Sequence, residues 1–329
     1  MATGSPTLVF GGGSIGLEAS GGSFSLVEDV EELLSILQME GIEQIDTAQL
    51  YSTSEQLLGQ ARAGERFLID TKHIGGWAPG NSSRAQVVER GMKSLRTLGI
   101  EKANIFYLHA PDPTASIEDT LAGVNDLYVA GKFARFGLSN FTAEQVKDAI
   151  LIAKDKNYVV PTVYQGNYNV VSRRIETELF PVLREHGMSF YAYSPIAAGF
   201  LTKTRELLTQ ASGGQGRWRP DTQFGQLYLS MYNKPKMLEA LDLWNEISES
   251  SKIPRAELAY RWIAFHSLLD EKQGDAIVLG ASTTKQLKST LIGLRHGPLP
   301  RSVQERIAEV WEIAKGESVL DSYEGYKLK

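Results

Sequence analysis

The sequence has no cysteine and only five histidines in 329 residues. The missing thiols exclude a disulfide framework, a thiolate nucleophile, a Cys-ligated zinc and an iron–sulfur cluster. Positive charge is also short: Lys and Arg number 34 against 39 Asp and Glu, a formal charge of −5. That gives no footing for nucleic-acid binding, which favours clustered Lys and Arg. No apolar run reaches ~18 residues, so no membrane span is expected. The first residues, MATGSPTLVFGGG, lack a basic stretch followed by an apolar one, so no signal peptide is expected. No two histidines stand four apart, so no metal site is expected. These absences point to a cytoplasmic protein that acts on a small molecule.

What is present is alternation. Apolar runs read as strands at 7–10, 44–46, 66–71, 104–108, 133–138, 159–164, 188–193 and 276–279. Helical spacing fills most gaps, at 26–39, 55–61, 83–98, 117–128, 143–154, 174–186, 236–250, 255–267, 284–294 and 301–315. Ser83 and Gln86 form a capping-box pair, and Gly131 stands where a helix stops. Residues 202–234 are polar and Gly-containing and read as a long loop, and 316–329 as a tail. Eight strand–helix units, counted from Gln44 or from Thr7, average about 41 residues. Strands alternating with helices imply a parallel sheet, and no linker-like shift divides the chain. The expected fold is α/β, a (β/α)8 TIM barrel forming a single domain over 1–329. An open doubly wound sheet is the alternative.

Gly11 to Gly16 (GGGSIG) satisfies a dinucleotide-binding G-x-G-x-x-G pattern after an apolar run. That motif needs a helix opening inside it, so that the helix N-terminus meets a pyrophosphate. Here the periodic helix begins only near Leu26. A Gly-rich turn at a barrel mouth, where backbone lies close to a ligand, is the better reading.

Four polar residues fall at or just past the ends of consecutive predicted strands. Asp46 ends QID, Tyr51 follows in DTAQLY, Lys72 follows RFLIDT, and His109 follows NIFYL. In a parallel barrel those ends face one mouth, where active sites are built. The set has a coherent use. A phenol with a reference pKa near ~10 is a poor acid at neutral pH. A neighbouring ammonium stabilises the phenolate, and a carboxylate keeps the ammonium charged. A neutral imidazole can donate a hydrogen bond to a carbonyl oxygen. Together they polarise and protonate a carbonyl, and a cofactor must supply the hydride. Each residue alone has a plainer reading, as a solvated loop lysine, a structural histidine or a capping aspartate. His73, His186, His266 and His296 are read as structural or surface residues.

DTAQLY (46–51), Thr71-Lys72, LHAPD (108–112), GKFARFGLSN (131–140) and AYSP (192–195) resemble the aldo-keto reductase family. PTVYQGNYN (161–169) and 176–202 look like its aflatoxin-aldehyde / succinic-semialdehyde reductase branch. The resemblance runs from about residue 7 to about 315. It implies a barrel that binds NADPH in extended form and reduces an aldehyde or ketone to an alcohol. Tyr51 would be the general acid, Lys72 its tuning cation, Asp46 the partner of Lys72, and His109 the carbonyl-orienting residue. Ser139, Asn140 and Gln165 match residues that hold the nicotinamide carboxamide, and Tyr193 the aromatic that stacks on its ring. Gly11 and Gly12 belong to the Gly-rich turn beside the cofactor. Gly199, Leu201 and Lys203 lie where the family's loop passes the pyrophosphate. Ser282, Gln286 and Thr290 fall on the adenosine end, and Arg217 is taken to close over the cofactor. The branch often forms dimers, so a homodimer is expected. The branch clamps a substrate carboxylate with arginines in a Tyr-Arg-x-Arg-Tyr stretch. Here the stretch is Tyr228-Leu229-Ser230-Met231-Tyr232, and the chain ends DSYEGYKLK without an aromatic–arginine pairing. An arginine fork is a strong carboxylate contact, so a substrate without a clamped carboxylate is expected. The alternative is an NADPH-binding regulatory subunit resembling potassium-channel β subunits. Those have Asn at the position of His109, which favours catalysis here.

Overall fold

The computed structural model describes residues 6–17, 24–209 and 218–327. Eight parallel strands close into a barrel in sequence order: β1 (Thr7–Gly11), β2 (Gln44–Asp46), β3 (Leu68–His73), β4 (Ala103–Leu108), β5 (Phe133–Ser139), β6 (Val163–Asn167), β7 (Ser189–Tyr193) and β8 (Ala276–Leu279). The run at Thr7 therefore belongs to the barrel. β1 pairs with β2 on one side and β8 on the other, which excludes the open sheet. Gly12–Ser14 forms one tight turn instead of opening a long helix. The helix that follows, α1 (Val27–Met39), starts after Leu26.

The further helices are α2 (Ser54–Gln60), α3 (Arg84–Leu98), α4 (Ile117–Val129), α5 (Ala143–Asp155), α6 (Ile175–Glu178), α7 (Phe180–Glu185), α8 (Arg205–Thr209), α9 (Gln223–Tyr232), α10 (Pro235–Ser251), α11 (Arg255–Phe265), α12 (Thr284–Arg295), α13 (Arg301–Ala314) and α14 (Ser322–Lys327). The capping box at Ser83 is formed: Gln86 Oε1 accepts from Ser83 N at 3.1 Å. Gly131 turns the chain at φ +69° after α4.

The larger differences from the predicted boundaries each have a local reason. β3 runs to His73, because Lys72 and His73 still pair with Tyr107 and Leu108 of β4. β6 starts at Val163 and extends to Asn167, since Pro161 has no N–H for a ladder. The segment read as one helix over 174–186 breaks at Leu179, with Pro181 in the first turn of α7. The stretch read as a long loop holds α8 and α9. Thr222 caps α9 by accepting from Gly225 N at 3.0 Å. Phe224, Leu227, Tyr228 and Met231 of α9 have helical spacing, obscured by the polar residues before them.

Two apolar layers result. The larger one lies between strands and helices and includes Phe10, Leu33, Phe106, Phe136, Leu183 and Trp244. The smaller one fills the barrel with Val9, Ile105, Tyr107, Val163, Tyr191 and Val278. Gly137 of β5 is required there. A Cβ on it would stand 2.3 Å from the Tyr107 ring, closer than packing tolerates.

Asp275, fully buried before β8, ties β7 and β8 together. It takes Arg184 Nη1 at 2.9 Å and Nη2 at 2.5 Å, Phe190 N at 2.7 Å and Asp270 N at 2.9 Å. Asp275→Ala removes four hydrogen bonds and strands a guanidinium. We expect a loss of roughly 3 kcal/mol, measured by urea unfolding; a variant as stable as the parent would show the node to be dispensable. Among the described residues, no helix is long and apolar enough to cross a membrane. Nor do three His, Asp or Glu gather closely enough among them to hold a metal ion.

Candidate active site

The strand ends bring the four predicted residues together. Lys72 on β3 points into the barrel, fully buried. Its Nζ donates to Asp46 Oδ2 at 2.5 Å and to Thr47 O at 2.9 Å, and reaches Tyr51 Oη at 3.5 Å. The ammonium also lies 4.8 Å from the centre of the Tyr51 ring. Asp46 ends β2, and its other oxygen accepts from Gln165 Nε2 at 2.9 Å. Tyr51 stands in the turn after β2. Ser54 pins that turn by donating to Gly12 O at 3.0 Å and accepting from Thr47 Oγ1 at 2.8 Å. Gly12 must stay small, since a Cβ would meet Asp46 O at 2.9 Å. Gly11 precedes it at the end of β1, against Val278 and Leu279 of β8.

His109 follows β4, its N donating to His73 O at 3.0 Å. Its ring meets Tyr51 edge-on, centres 5.6 Å apart. Burial, then the Lys72 charge, holds its pKa well below the usual imidazole value, so the ring is neutral. Its buried Nδ1 has no protein partner. Burial pulls Lys72 down, and the Asp46 carboxylate opposes that most strongly.

The polar residues after β5 and β6 adjoin this cluster. Asn140, at φ +60°, donates to His109 O at 2.8 Å and Ser139 Oγ at 3.1 Å, and accepts from Tyr193 Oη at 2.8 Å. Both ends of its amide are thus engaged within the protein. After β7 the chain folds sharply, with Ser194, Ala197, Ala198 and Gly199 at positive φ. Leu201 is buried, its carbonyl accepting from Trp244 Nε1 at 2.8 Å. Lys203 is part-buried, 5.7 Å from the Trp218 ring, and burial lowers its pKa. Ser282, Gln286 and Thr290 stand apart from the four-residue cluster, at and within α12. Gln286 Oε1 accepts from Ser282 N at 2.9 Å, and Thr290 lies within α12. Arg217 lies outside the described residues.

Sequence reasoning missed the wall opposite Tyr51. Trp77, in the turn after β3, packs against His109, Tyr323 and Tyr326, ring centres 5.9, 5.3 and 5.3 Å away. The two tyrosines come from α14, inside the stretch read as a tail. Ser322 ties that helix to Tyr193: its N donates to Tyr193 Oη at 3.1 Å, and its Oγ lies 3.1 Å from the same oxygen. Arg174 holds it from below through Glu324 at 3.1 Å. Met231 on α9 packs against Gly325; a Cβ there would stand 2.6 Å from Met231 Cγ. Met231, one of the two positions read as lost arginines, therefore belongs to the apolar seat of α14. Tyr323 and Tyr326 are three apart, a helix-face signal that was available.

A closed parallel (β/α)8 barrel that gathers an acid, a phenol, an ammonium and an imidazole at its C-terminal mouth has the active-site layout of this architecture. A family model described as aldo/keto reductase family matches residues 7–312, and the chain belongs to that family of oxidoreductases. It is 37% identical over 316 residues to oxidoreductase sirO of Leptosphaeria maculans, covering 94% of this chain and 95% of that one. It is 37% identical over 287 residues to aflatoxin B1 aldehyde reductase member 4 of Homo sapiens, covering 83% and 86%. Aldo-keto reductase pigE of Monascus ruber is 32% identical over 334 residues, covering 96% of each.

Proposed function

We propose that the protein is an NADPH-dependent carbonyl reductase whose substrate carries no clamped carboxylate. The observation that carries this reading is the Lys72 ammonium held between Asp46 and the Tyr51 hydroxyl, with a neutral His109 beside them. Family membership and relatives named as aldehyde reductases support the reaction class.

The residues present suit a pyridine dinucleotide. Tyr193 offers a ring face anchored at its hydroxyl, with Ser139 and Gln165 on the adjoining strands. The sharp fold at Ala197–Gly199 is followed by Lys203, a charge for a pyrophosphate. The N-terminus of α12, with Ser282 before it, suits a further phosphate. When bound, the reduced nicotinamide supplies the hydride.

The chain's own groups do the rest. His109 donates a hydrogen bond to the carbonyl oxygen and fixes its direction. Tyr51 Oη then gives its proton to that oxygen as negative charge develops there. The Lys72 ammonium stabilises the phenolate left behind, and Asp46 keeps the ammonium charged despite burial. Aldehyde, NADPH and a proton thus become alcohol and NADP+, with Tyr51 reprotonated from solvent. Trp77 and the tyrosines of α14 form an aromatic, water-excluding wall for the rest of the substrate. The same reading takes the enzyme as cytoplasmic and as a homodimer.

The test is steady-state cofactor oxidation with a panel of carbonyls and both NADPH and NADH. The expected kcat/KM is at least roughly tenfold higher for 4-nitrobenzaldehyde than for succinic semialdehyde, and higher with NADPH. Better turnover of succinic semialdehyde would overturn the substrate reading. No turnover of any carbonyl would overturn the reaction.

A further inference from the structure

Asp70 is a buried carboxyl that the chemistry above leaves unused. It stands on β3 two residues before Lys72, so both side chains point into the barrel. In the strand register it lies directly opposite Asp46, on a strand about 4.8 Å away. It is fully buried. Its hydrogen bonds come from neutral groups: Gln44 Nε2 at 2.5 Å from one oxygen, Asn104 Nδ2 at 2.8 Å and Ile105 N at 3.1 Å from the other. The nearby ammonium, Lys72, is committed to Asp46 and Thr47 O. Two buried carboxyls therefore adjoin one buried ammonium. Two adjacent ionised carboxylates repel strongly there, so one keeps its proton. Lys72 Nζ is hydrogen-bonded to Asp46 and Thr47 O and not to Asp70, so the proton falls to Asp70.

We propose that Asp70 is a positioning residue of the reduction, a second carboxyl beneath the Lys72–Asp46 pair that holds a proton the reaction does not consume. Its effect on rate rests on the reading of Tyr51 as proton donor. While Asp70 is neutral, Lys72 and Asp46 balance, and the field of the ammonium on Tyr51 is undiminished. Once Asp70 ionises, a negative charge stands behind Lys72, the phenolate is disfavoured, and Tyr51 becomes a weaker acid.

Burial, then the Asp46 charge, raises Asp70 to about 7. A raised carboxyl is neutral below that value and charged above it, so reduction slows as pH rises through it. The other groups facing the same interior are Asp46 from β2, Lys72 from β3, Tyr107 from β4, Arg135 from β5 and Tyr191 from β7. Burial pushes both tyrosines up, so they stay neutral in this range. The Arg135 guanidinium is turned to Ser189 Oγ at 3.2 Å and Thr162 O at 3.3 Å. Glu55 of α2 is also raised by burial, but it bonds Thr71 on the outer face of β3. It remains unchanged in a variant at Asp70.

The experiment compares the parent with Asp70→Asn in two measurements. The first is the pH profile of kcat for NADPH-dependent reduction of 4-nitrobenzaldehyde. The parent is expected to lose roughly three- to tenfold in kcat as pH passes upward through the neutral range. Asp70→Asn lacks that fall, with KM for NADPH within about twofold of the parent. The second is pH-difference infrared spectroscopy of the ligand-free protein. Glu55 and Asp321 are also raised by burial, Asp321 to about 6, so the reading is by difference: the parent shows a protonated-carboxyl C=O component that disappears over the same range, and Asp70→Asn loses that component while keeping theirs. Superimposable pH profiles, or an unchanged band in the variant, would overturn the proposal. If Asp70→Asn does not fold, Asp70→Glu keeps a carboxyl at the position and is expected to shift that component; a spectrum identical to the parent's contradicts the stored proton. A band that titrates with Asp70 in a protein that reduces no carbonyl would refute the reductase reading and this role within it.

Discussion

Tyr51→Phe lowers kcat for aldehyde reduction by roughly 10²- to 10⁴-fold, the usual contribution of a positioned acid. The substitution keeps the ring, its edge contact with His109 and its place over the Lys72 ammonium. It removes the hydroxyl 3.5 Å from Lys72 Nζ. Folding is unaffected, because the ring remains and the turn is pinned by Ser54 instead. NADPH affinity, followed by quenching of protein fluorescence, stays within about twofold. A loss confined to kcat marks an interaction made only in the transition state. Were kcat to survive the change, another group or water would be the proton donor.

Lys72→Met lowers kcat by roughly 10²- to 10³-fold, because the phenolate loses the charge that stabilises it. This variant also carries a structural cost. Asp46, hydrogen-bonded by Gln165 Nε2 at 2.9 Å, is left buried without its cation. An orphaned buried charge typically costs about 3–5 kcal/mol, so thermal stability falls with the rate. Adding Asp46→Asn separates the two effects. The double variant recovers most of the stability, since no unpaired charge remains, and recovers none of the rate. Thermal unfolding read beside steady-state kinetics makes the comparison. Recovery of rate along with stability would mean that Lys72 serves only to balance Asp46.

The legible part of the protein is its periodicity. Eight strands appear near their predicted places because each is a short apolar run bounded by helical spacing. The functional set was legible for the same reason: Asp46, Tyr51, Lys72 and His109 sit at strand ends, and a parallel barrel sends those ends to one mouth. Lys72 shows the limit of that reading. It lies within β3, because the pairing with β4 continues past Thr71, and a hydrogen-bond ladder leaves no mark on composition. Asp70 was invisible as a partner of Asp46, because register sets the two opposite each other. Trp77 meets Tyr323 and Tyr326 from far along the chain, a contact that no local spacing encodes. α9 was missed for a simpler reason. Its apolar spacing follows a Gly-rich polar stretch, and the stretch set the reading of the whole segment.

The most direct test of the central claim is the fate of the hydride. NADPH carrying deuterium at both C4 positions of the nicotinamide is incubated with the protein and 4-nitrobenzaldehyde, and the alcohol is weighed by mass spectrometry. One deuterium is expected on the carbinol carbon of the product, and that product is lost with Tyr51→Phe. Alcohol without the label, or intact NADPH with every carbonyl offered, would contradict that claim.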